Sequence, residues 1–221
     1  MGRVSEPNAV DVDALFDRLL IGDDPALAAT RAATAAAGMP PIEVSAQHGK
    51  FLYLLASVMR ARRILEIGTL GGFSTIWLAR AVGPEGHVVT LEYEPKHAQV
   101  ARTNIDRAGV GQRVDVIVGA ALDTLPQLRS ESFDLVFVDA DKENNSAYVQ
   151  WAVELSAPGS IIVVDNVVRM GRVLAPAADD HQAQGVVDML DMIAAHPRLE
   201  AAAVQTVGVK GWDGFLLARV T

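Results

Sequence analysis

The feature that most constrains the fold of this chain is a regular alternation between short apolar runs and longer segments with helical periodicity. The apolar runs occupy residues 63–67, 88–91, 114–118, 135–138 and 161–164, and the helical segments lie near 74–82, 95–108, 121–129 and 145–156. Strands that are apolar throughout are typical of a parallel sheet with helices on both faces. The alternation therefore predicts a doubly wound α/β fold.

The N-terminal part of the chain lacks apolar runs of this kind. Residues 10–38 predict one helix that ends at Gly38, and a second helix is expected from about 45 to 60. We therefore expect a helical cap over residues 1–60 and an α/β core over residues 61–221, together forming one domain.

The C-terminal part also differs, because a helix near 182–195 precedes two strand-like runs at 200–207 and 214–220. The residues between these runs are too few for a parallel crossover, so the runs predict a hairpin. We place Trp212, Asp213 and Gly214 in its turn, with a wall of an aromatic acceptor site as the alternative role of Trp212. The sheet is then seven-stranded and mostly parallel, with an antiparallel last strand, as in Rossmann-like folds.

Composition excludes several classes of function. The 221 residues fit one domain, and their net charge of −8 argues against a nucleic-acid partner, because phosphate contacts need a basic face. The absence of cysteine excludes disulfides, thiolate metal sites and a cysteine nucleophile. No apolar run approaches the roughly 20 residues that span a bilayer, and the N-terminus lacks a signal-peptide pattern. We expect a cytoplasmic enzyme without a membrane partner.

A glycine-rich turn follows the first predicted strand, where the chain reads EIGTLGGFS. Glycines at a strand-to-helix turn let the backbone approach a ligand closely, and Ser74 is a suitable cap for the helix that follows. The glycine spacing is G-x-x-G-G, which differs from the G-x-G-x-x-G of dinucleotide folds. A tight turn without any ligand is the alternative interpretation.

The second predicted strand ends in Glu92. A carboxylate at this place can accept hydrogen bonds from both hydroxyls of a ribose, although a solvated strand-end charge is an equal alternative. Together with the glycine turn, Glu92 indicates an adenosine-containing ligand without deciding between NAD and S-adenosylmethionine. The missing dinucleotide fingerprint and the C-terminal hairpin favour S-adenosylmethionine. A Rossmann-type oxidoreductase and a non-catalytic adenosyl-ligand-binding protein stay open as alternatives.

Polar side chains follow the fourth and fifth predicted strands. Asp139 comes directly after the fourth strand, and Asp165 and Asn166 come after the fifth. Parallel strands end at the same edge of a sheet, so we expect these side chains to meet there. Three oxygen ligands suit a hard cation, with Mg²⁺ expected and Mn²⁺ or Ca²⁺ as alternatives. Taken singly, each residue is an ordinary helix cap or turn residue.

The chain resembles a known family in four runs: EIGTLGGFS, VVTLEYEP, FDLVFVDADKEN and GSIIVVDNVVRMGRV. They are similar to the cation-dependent O-methyltransferases, the group that includes catechol and caffeoyl-CoA O-methyltransferases, from roughly Val44 to the C-terminus. The resemblance implies a metal held by Asp139, Asp165 and Asn166 and a catalytic base at Lys142. It implies contacts to the S-adenosylmethionine donor from Val44, Glu66, Gly68, Thr69, Ser74, Glu92, Ala121 and Asp139.

The sequence departs from the family pattern near the expected acceptor pocket. Asn145 stands where bacterial relatives often carry a tyrosine, and the segment 169–172 lacks the tryptophan of the plant pattern. We expect a small phenolic acceptor, an aromatic vicinal diol of the catechol or caffeoyl type, because two adjacent hydroxyls can fill two open positions of the cation. We also expect a homodimer. The five histidines show no metal-ligand spacing, and we expect surface roles for all of them except His48.

Overall fold

A seven-stranded sheet forms the centre of the protein. The computed structural model describes residues 8–221, so the start of the predicted helical cap, residues 1–7, lies outside the described residues. The strands run in the spatial order β3-β2-β1-β4-β5-β7-β6. Their bounds are β1 (Arg63–Ile67), β2 (His87–Glu92), β3 (Val114–Val118), β4 (Phe133–Val138), β5 (Ser156–Asp165), β6 (Leu199–Gly208) and β7 (Gly211–Val220).

The strand directions confirm the predicted topology. The neighbours from β3 to β5 pair in parallel, and β7 is antiparallel to both β5 and β6. The chain moves outward from β1 to β3 and then returns to place β4 on the other side of β1. This reversal opens a crevice beyond the carboxyl ends of β1 and β4, which is where open α/β sheets bind their ligands.

Helices cover both faces of the sheet. They are α1 (Ala9–Phe16), which continues into a π-helical turn (Asp17–Ile21), α2 (Pro25–Ala36), α3 (Ala46–Met59), α4 (Phe73–Ala81), α5 (Pro95–Arg107), α6 (Ala121–Thr124), α7 (Asn145–Glu154) and α8 (His181–Ala195). None of the helices within residues 8–221 has the length and apolar character needed to cross a membrane.

Two apolar clusters explain why the strands are apolar throughout. On one face, Leu52 of α3 and Trp77 of α4 pack with Ile64 of β1. On the other face, Met189 of α8 packs in the cluster that contains Leu65, the next residue of β1. Successive strand residues point to opposite faces, so a strand covered on both sides must be apolar at every position.

The prediction of a single helix over residues 10–38 is wrong. The helical chain stops at Gly22, which has a φ of 69°, and restarts at Pro25. The side chain of Asp24 caps the new helix by accepting hydrogen bonds from the backbone amides of Ala26 and Leu27. Apolar periodicity continues through this break, so the capping residue and the proline after it were the informative signals.

The prediction that residues 212–214 form the hairpin turn is also wrong. Gly208 pairs directly with Gly211, so the turn consists of Val209 and Lys210, and Trp212 already pairs with Val207 inside the hairpin. Gly211 has a φ of 84°, which supplies the left-handed residue that commonly closes such a turn. The last strand therefore begins three residues earlier than predicted.

Candidate active site

A cavity of about 1230 Å³ lies beyond the carboxyl ends of the central strands. Its volume exceeds the roughly 300–1,000 Å³ of most small-molecule pockets, so two ligands can share it. The structure brings ten of the eleven predicted site residues into its wall. These are Val44, Gly68, Thr69, Ser74, Glu92, Ala121, Asp139, Lys142, Asp165 and Asn166.

The glycine turn forms one side of this cavity. Gly68 has a φ of 101°, and a Cβ atom at this position would collide with the backbone of Asp139. Glycine is therefore required where β1 and β4 meet at the ligand crevice. The predicted capping by Ser74 is wrong, because Gly72, with a φ of 81°, is the N-cap of α4 and Ser74 lies inside its first turn.

Glu92 holds the glycine turn in place. Its Oε2 accepts hydrogen bonds from the backbone amides of Thr69 (3.1 Å) and Leu70 (2.7 Å). Its Oε1 accepts one from the amide of Glu94 (3.0 Å). The side chain is buried, so the interpretation of Glu92 as a solvated strand-end charge is wrong. A carboxylate has about four acceptor positions, which leaves Oε1 with room for a ligand hydroxyl.

Glu66 is the predicted site residue that does not reach the cavity wall. It lies behind the glycine turn with no exposed surface, and its Oε2 accepts a hydrogen bond from Oγ1 of Thr90 (2.6 Å). Burial raises the pKa of Glu66 to about 7, although hydroxyl groups of Ser74, Thr75 and Thr90 oppose this shift. Its Oε1 has no hydrogen-bond partner within residues 8–221. Its predicted contact with the donor stays a prediction.

Asp139 and Asp165 lie side by side at the edge of the sheet. They follow Val138 and Val164, which are paired in the register of β4 and β5. Burial raises the pKa of Asp165 to about 8, and the negative charge of Asp139 acts in the same direction. Asn166 follows in a left-handed conformation (φ 58°), and its backbone amide donates to Oδ1 of Asp165.

The set of possible metal ligands at this edge of the sheet suits a hard cation. It consists of two carboxylates and one amide oxygen, the ligand types that Mg²⁺, Mn²⁺ and Ca²⁺ take. In the described part of the chain no three His, Cys, Asp or Glu side chains form a metal-binding group, so Asn166 would be the third ligand. A cation would also neutralise the two neighbouring carboxylates, since burial and then the repulsion by Asp139 raise the pKa of Asp165.

Lys142 is buried next to these carboxylates, with 4% of its surface exposed. Its Nζ donates to Oδ1 of Asp139 at 2.9 Å. The sequence alone also allows a surface lysine paired with Asp141 or Glu143, and the burial of Lys142 and its bond to Asp139 show that this interpretation is wrong. A side chain at Gly185 of α8 would collide with the backbone of Lys142. Helix α8 therefore packs closely against this backbone and holds it in place.

His48 also lines the cavity and lies next to Asp165. Its Nδ1 is 3.6 Å from Oδ2 of Asp165, and its ring stacks on Phe215 with 5.1 Å between the ring centres. Burial lowers the pKa of His48, while the charge of Asp139 opposes this shift. The expectation that His48 is the histidine without a surface role is thus correct. His97 also lines the cavity, 3.4 Å from Glu92, contrary to its expected surface role.

The contribution of β7 to this site was not predicted from the sequence. Oδ1 of Asp213 accepts hydrogen bonds from the backbone amides of Val168 (3.1 Å) and Arg169 (3.0 Å), which tethers the segment after Asn166. Phe215, two residues further, forms part of the cavity wall. The antiparallel direction of β7 was the available signal, because such a strand begins at the edge where the parallel strands end.

Comparison with known proteins agrees with this geometry. A family model described as O-methyltransferase matches residues 20–220. A catechol O-methyltransferase of Mycobacterium tuberculosis is 63% identical, with 100% of each chain covered. One of Niastella koreensis is 49% identical, with 95% of this chain and 96% of that relative covered. A crystal structure of an O-methyltransferase from Bacillus cereus in complex with SAH superimposes with a TM-score of 0.94 at 50% identity, covering 96% and 98% of the two chains.

Proposed function

Because this chain belongs to the O-methyltransferase family, we propose that it methylates an aromatic vicinal diol with S-adenosylmethionine as the donor and a bound divalent cation. The observation that carries this proposal is the buried ion pair of Lys142 with Asp139, beside Asp165 in the same cavity as the glycine turn. The family assignment argues against the oxidoreductase and the non-catalytic protein that the sequence had left open.

The donor would occupy the side of the cavity that the glycine turn forms. The close backbone at Gly68 and the free acceptor position on Oε1 of Glu92 suit an adenosyl group, and the related Bacillus cereus enzyme was crystallised with SAH. Val44, Thr69, Ser74 and Ala121 line the cavity with them. When bound, the donor supplies an electrophilic methyl group, so the protein must provide and aim an oxygen nucleophile.

The cation would be held by Asp139, Asp165 and Asn166. When bound, it lowers the pKa of an acceptor hydroxyl and fixes the direction of that oxygen. The ring of His48 lies against the carboxylate of Asp165, with 3.6 Å between Nδ1 and Oδ2, and so limits the movement of that carboxylate. Such restraint of a ligating side chain by its neighbours is common around metal sites.

Lys142 would remove the proton from the acceptor hydroxyl. In the ion pair with Asp139 the Nζ atom is protonated, so this proton must first leave to solvent; the neutral amine that results has one lone pair. The contact with Asp139 places Nζ beside the proposed cation. Burial of the side chain excludes water that would otherwise compete for the proton. The proton therefore moves from the acceptor oxygen to Nζ as the methyl group is transferred.

The acceptor side of the cavity has an aromatic wall. Phe16, Phe51 and Phe215 line it, and the rings of Phe51 and Phe215 are 4.9 Å apart. A flat apolar ring packs well against such a wall. Two adjacent hydroxyls can fill two positions of a hard cation, which takes six or more ligands. The name of the Mycobacterium tuberculosis relative supports the same class of acceptor.

A homodimer is the assembly that the surface supports best. Helix α1 buries none of its residues, and Leu19 and Leu20, which follow it, are 62% and 63% exposed. Two consecutive exposed leucines are costly in water and suit the same surface of a second copy. Light scattering of the chain, compared with its Leu20→Asp variant, tests this assembly.

The proposed reaction is tested by methyl transfer from labelled S-adenosylmethionine. A panel of catechols and single phenols is incubated with the enzyme and Mg²⁺, with and without a chelator. We expect labelled product from catechols alone, and only when free cation is present. Absence of product from every catechol at saturating donor would contradict the proposed acceptor class.

A further inference from the structure

Arg169 is the first residue of the segment Arg169–Leu174 and lies three residues beyond Asn166 in the cavity wall. It has a left-handed backbone (φ 54°), which is uncommon for a residue other than glycine. Oδ1 of Asp213 holds this conformation by accepting the amide of Arg169. The direction in which the side chain of Arg169 extends from the backbone is therefore held by Asp213.

The guanidinium of Arg169 lacks a carboxylate partner in the described part of the chain. One nitrogen, Nη2, donates to the neutral Oε1 of Gln182. Its Nε is buried and has no hydrogen-bond partner among residues 8–221. Arg172, three residues further along the same segment, pairs with Asp180 instead. Lys142, the neighbouring cation of the site, is already paired with Asp139.

From these contacts, we propose that Arg169 binds a carboxylate on the ring of the acceptor. A guanidinium has five donors in a planar fork, and a carboxylate satisfies two of them at once. This inference rests on the proposed function and narrows its substrate class to carboxylated catechols, because the hydroxyls lie at the acidic edge and the carboxylate lies at Arg169. The acceptor would then be held at both ends, which orients its ring.

Two alternatives to this proposal predict different results: Arg169 could bind the donor, or Lys210 could bind the carboxylate of the acceptor. The donor also carries a carboxylate, so Arg169 could serve S-adenosylmethionine, and Lys210 lines the same cavity with its Nζ bonded to the carbonyl of Pro41. Lys210 is exposed, however, and an exposed charge is screened by water and salt. The partly buried Arg169 is therefore the stronger carboxylate site.

The test compares 3,4-dihydroxybenzoate with its methyl ester at saturating donor and Mg²⁺. Each substrate is compared between variants, since the ester group also changes the ring electronically. We expect Arg169→Met to lower kcat/KM for the acid at least tenfold, mainly through KM, because a charge-assisted hydrogen bond is lost. The value for the ester should change less than threefold. Arg169→Lys, which keeps the charge but not the fork, should lose less than Arg169→Met, again for the acid alone.

Arg172→Met is the matched control, since it removes a charge from the same segment outside the cavity wall, and it should leave the acid-to-ester ratio unchanged. Equal losses for acid and ester in both Arg169 variants would overturn the inference. So would weaker S-adenosylmethionine binding by calorimetry with an unchanged acid-to-ester ratio, or loss of the preference in Lys210→Met instead. If the unmodified enzyme methylates the ester but Arg169 does not affect the acid, the proposed function survives and only this inference fails. Methylation of neither compound would overturn this inference, and absence of product from every other catechol as well would overturn the proposed function.

Discussion

The Nζ of Lys142 lies 2.9 Å from Oδ1 of Asp139, and only 5% of the lysine side chain is exposed. Asp139 thus bonds to Lys142 and is also a proposed ligand of the cation. The two partners would use different acceptor positions of its carboxylate. A carboxylate can serve both because each of its oxygens has two acceptor positions. This shared carboxylate would keep the proton-accepting nitrogen and the cation at a constant separation.

Replacement of Lys142 tests whether it removes the proton. We expect Lys142→Met to lower kcat by about 10²–10⁴, the usual loss for a general base, with S-adenosylmethionine affinity nearly unchanged by calorimetry. Lys142→Arg separates the two roles, because arginine keeps the ion pair but stays protonated. It should be as inactive as Lys142→Met. Wild-type turnover in Lys142→Arg would show that a positive charge is sufficient. Lys96→Met, at an exposed position of α5, is the control.

Two experiments test the cation site: removal of one carboxylate, which is followed by cation binding, and removal of the cation, which is followed by turnover. We expect Asp165→Asn to weaken Mn²⁺ binding at least tenfold in a titration followed by calorimetry or paramagnetic resonance, because a charged ligand becomes neutral. Chelation should abolish turnover of the unmodified enzyme, and Mg²⁺ or Mn²⁺ should restore it. The exposed Asp191→Asn variant should bind Mn²⁺ normally. Full turnover after exhaustive chelation would mean that the acidic pair is structural.

The contacts of Glu92 lead to a prediction about donor binding. Glu92→Ala removes both the proposed ribose acceptor and the hydrogen bonds that hold Thr69 and Leu70. Donor affinity measured by calorimetry should fall at least tenfold, since each charge-assisted hydrogen bond contributes roughly 1.5–3 kcal/mol. Glu85→Ala, which removes an exposed carboxylate paired with Arg62, should leave donor affinity as it is. Equal donor affinity in Glu92→Ala would contradict the assignment.

The buried carboxyl of Glu66 predicts a dependence of stability on pH. Burial raises its pKa from 4.5 to about 7, so the folded chain binds this proton more tightly than the unfolded chain. The resulting stabilisation is complete below about pH 4.5 and is lost as pH rises through about 7. The loss is on the order of 3 kcal/mol, because each pKa unit corresponds to about 1.4 kcal/mol.

Urea unfolding between pH 4.5 and 8 checks this dependence. Relative to the wild type, Glu66→Gln should gain stability as pH rises, because glutamine stays neutral throughout. The comparison uses the change with pH, so a constant difference in stability at all pH values does not affect it. Glu154→Gln, on the exposed side of α7, should follow the wild-type curve. Parallel curves for Glu66→Gln and wild type would show that Glu66 has an ordinary pKa.

The sequence predicted the parts of the site that follow local rules. Asp139, Asp165 and Asn166 each come directly after an apolar strand, and the direction of parallel strands is enough to place them at one edge. Arg169, Asp213 and Phe215 could not be placed in this way. Their positions depend on where the last turn falls and on hydrogen bonds between segments more than 40 residues apart in sequence, such as Arg169 with Asp213.

The burial of Glu66 could not be predicted from the sequence for a similar reason. Strand residues alternate between faces, and the sequence shows only that Glu66 lies one residue before the end of β1. Its burial follows from Thr75 of α4 and Thr90 of β2, which supply hydroxyl groups from two other elements. Such a polar cluster is visible only after the elements are packed, because each threonine alone is an ordinary helix or strand residue.

The final prediction concerns the number of hydroxyls that the acceptor needs. If the cation is bound by Asp139, Asp165 and Asn166, it retains open positions that two adjacent hydroxyls can fill together. Binding through both oxygens fixes the nucleophilic one relative to the methyl group, which a single hydroxyl does less well. We therefore expect kcat/KM for a catechol to exceed that for the same ring with one hydroxyl deleted by at least a hundredfold. The two compounds are compared at equal concentration with saturating donor and Mg²⁺. Comparable values would falsify chelation by the acceptor and would leave Lys142 as the group that activates a single phenol.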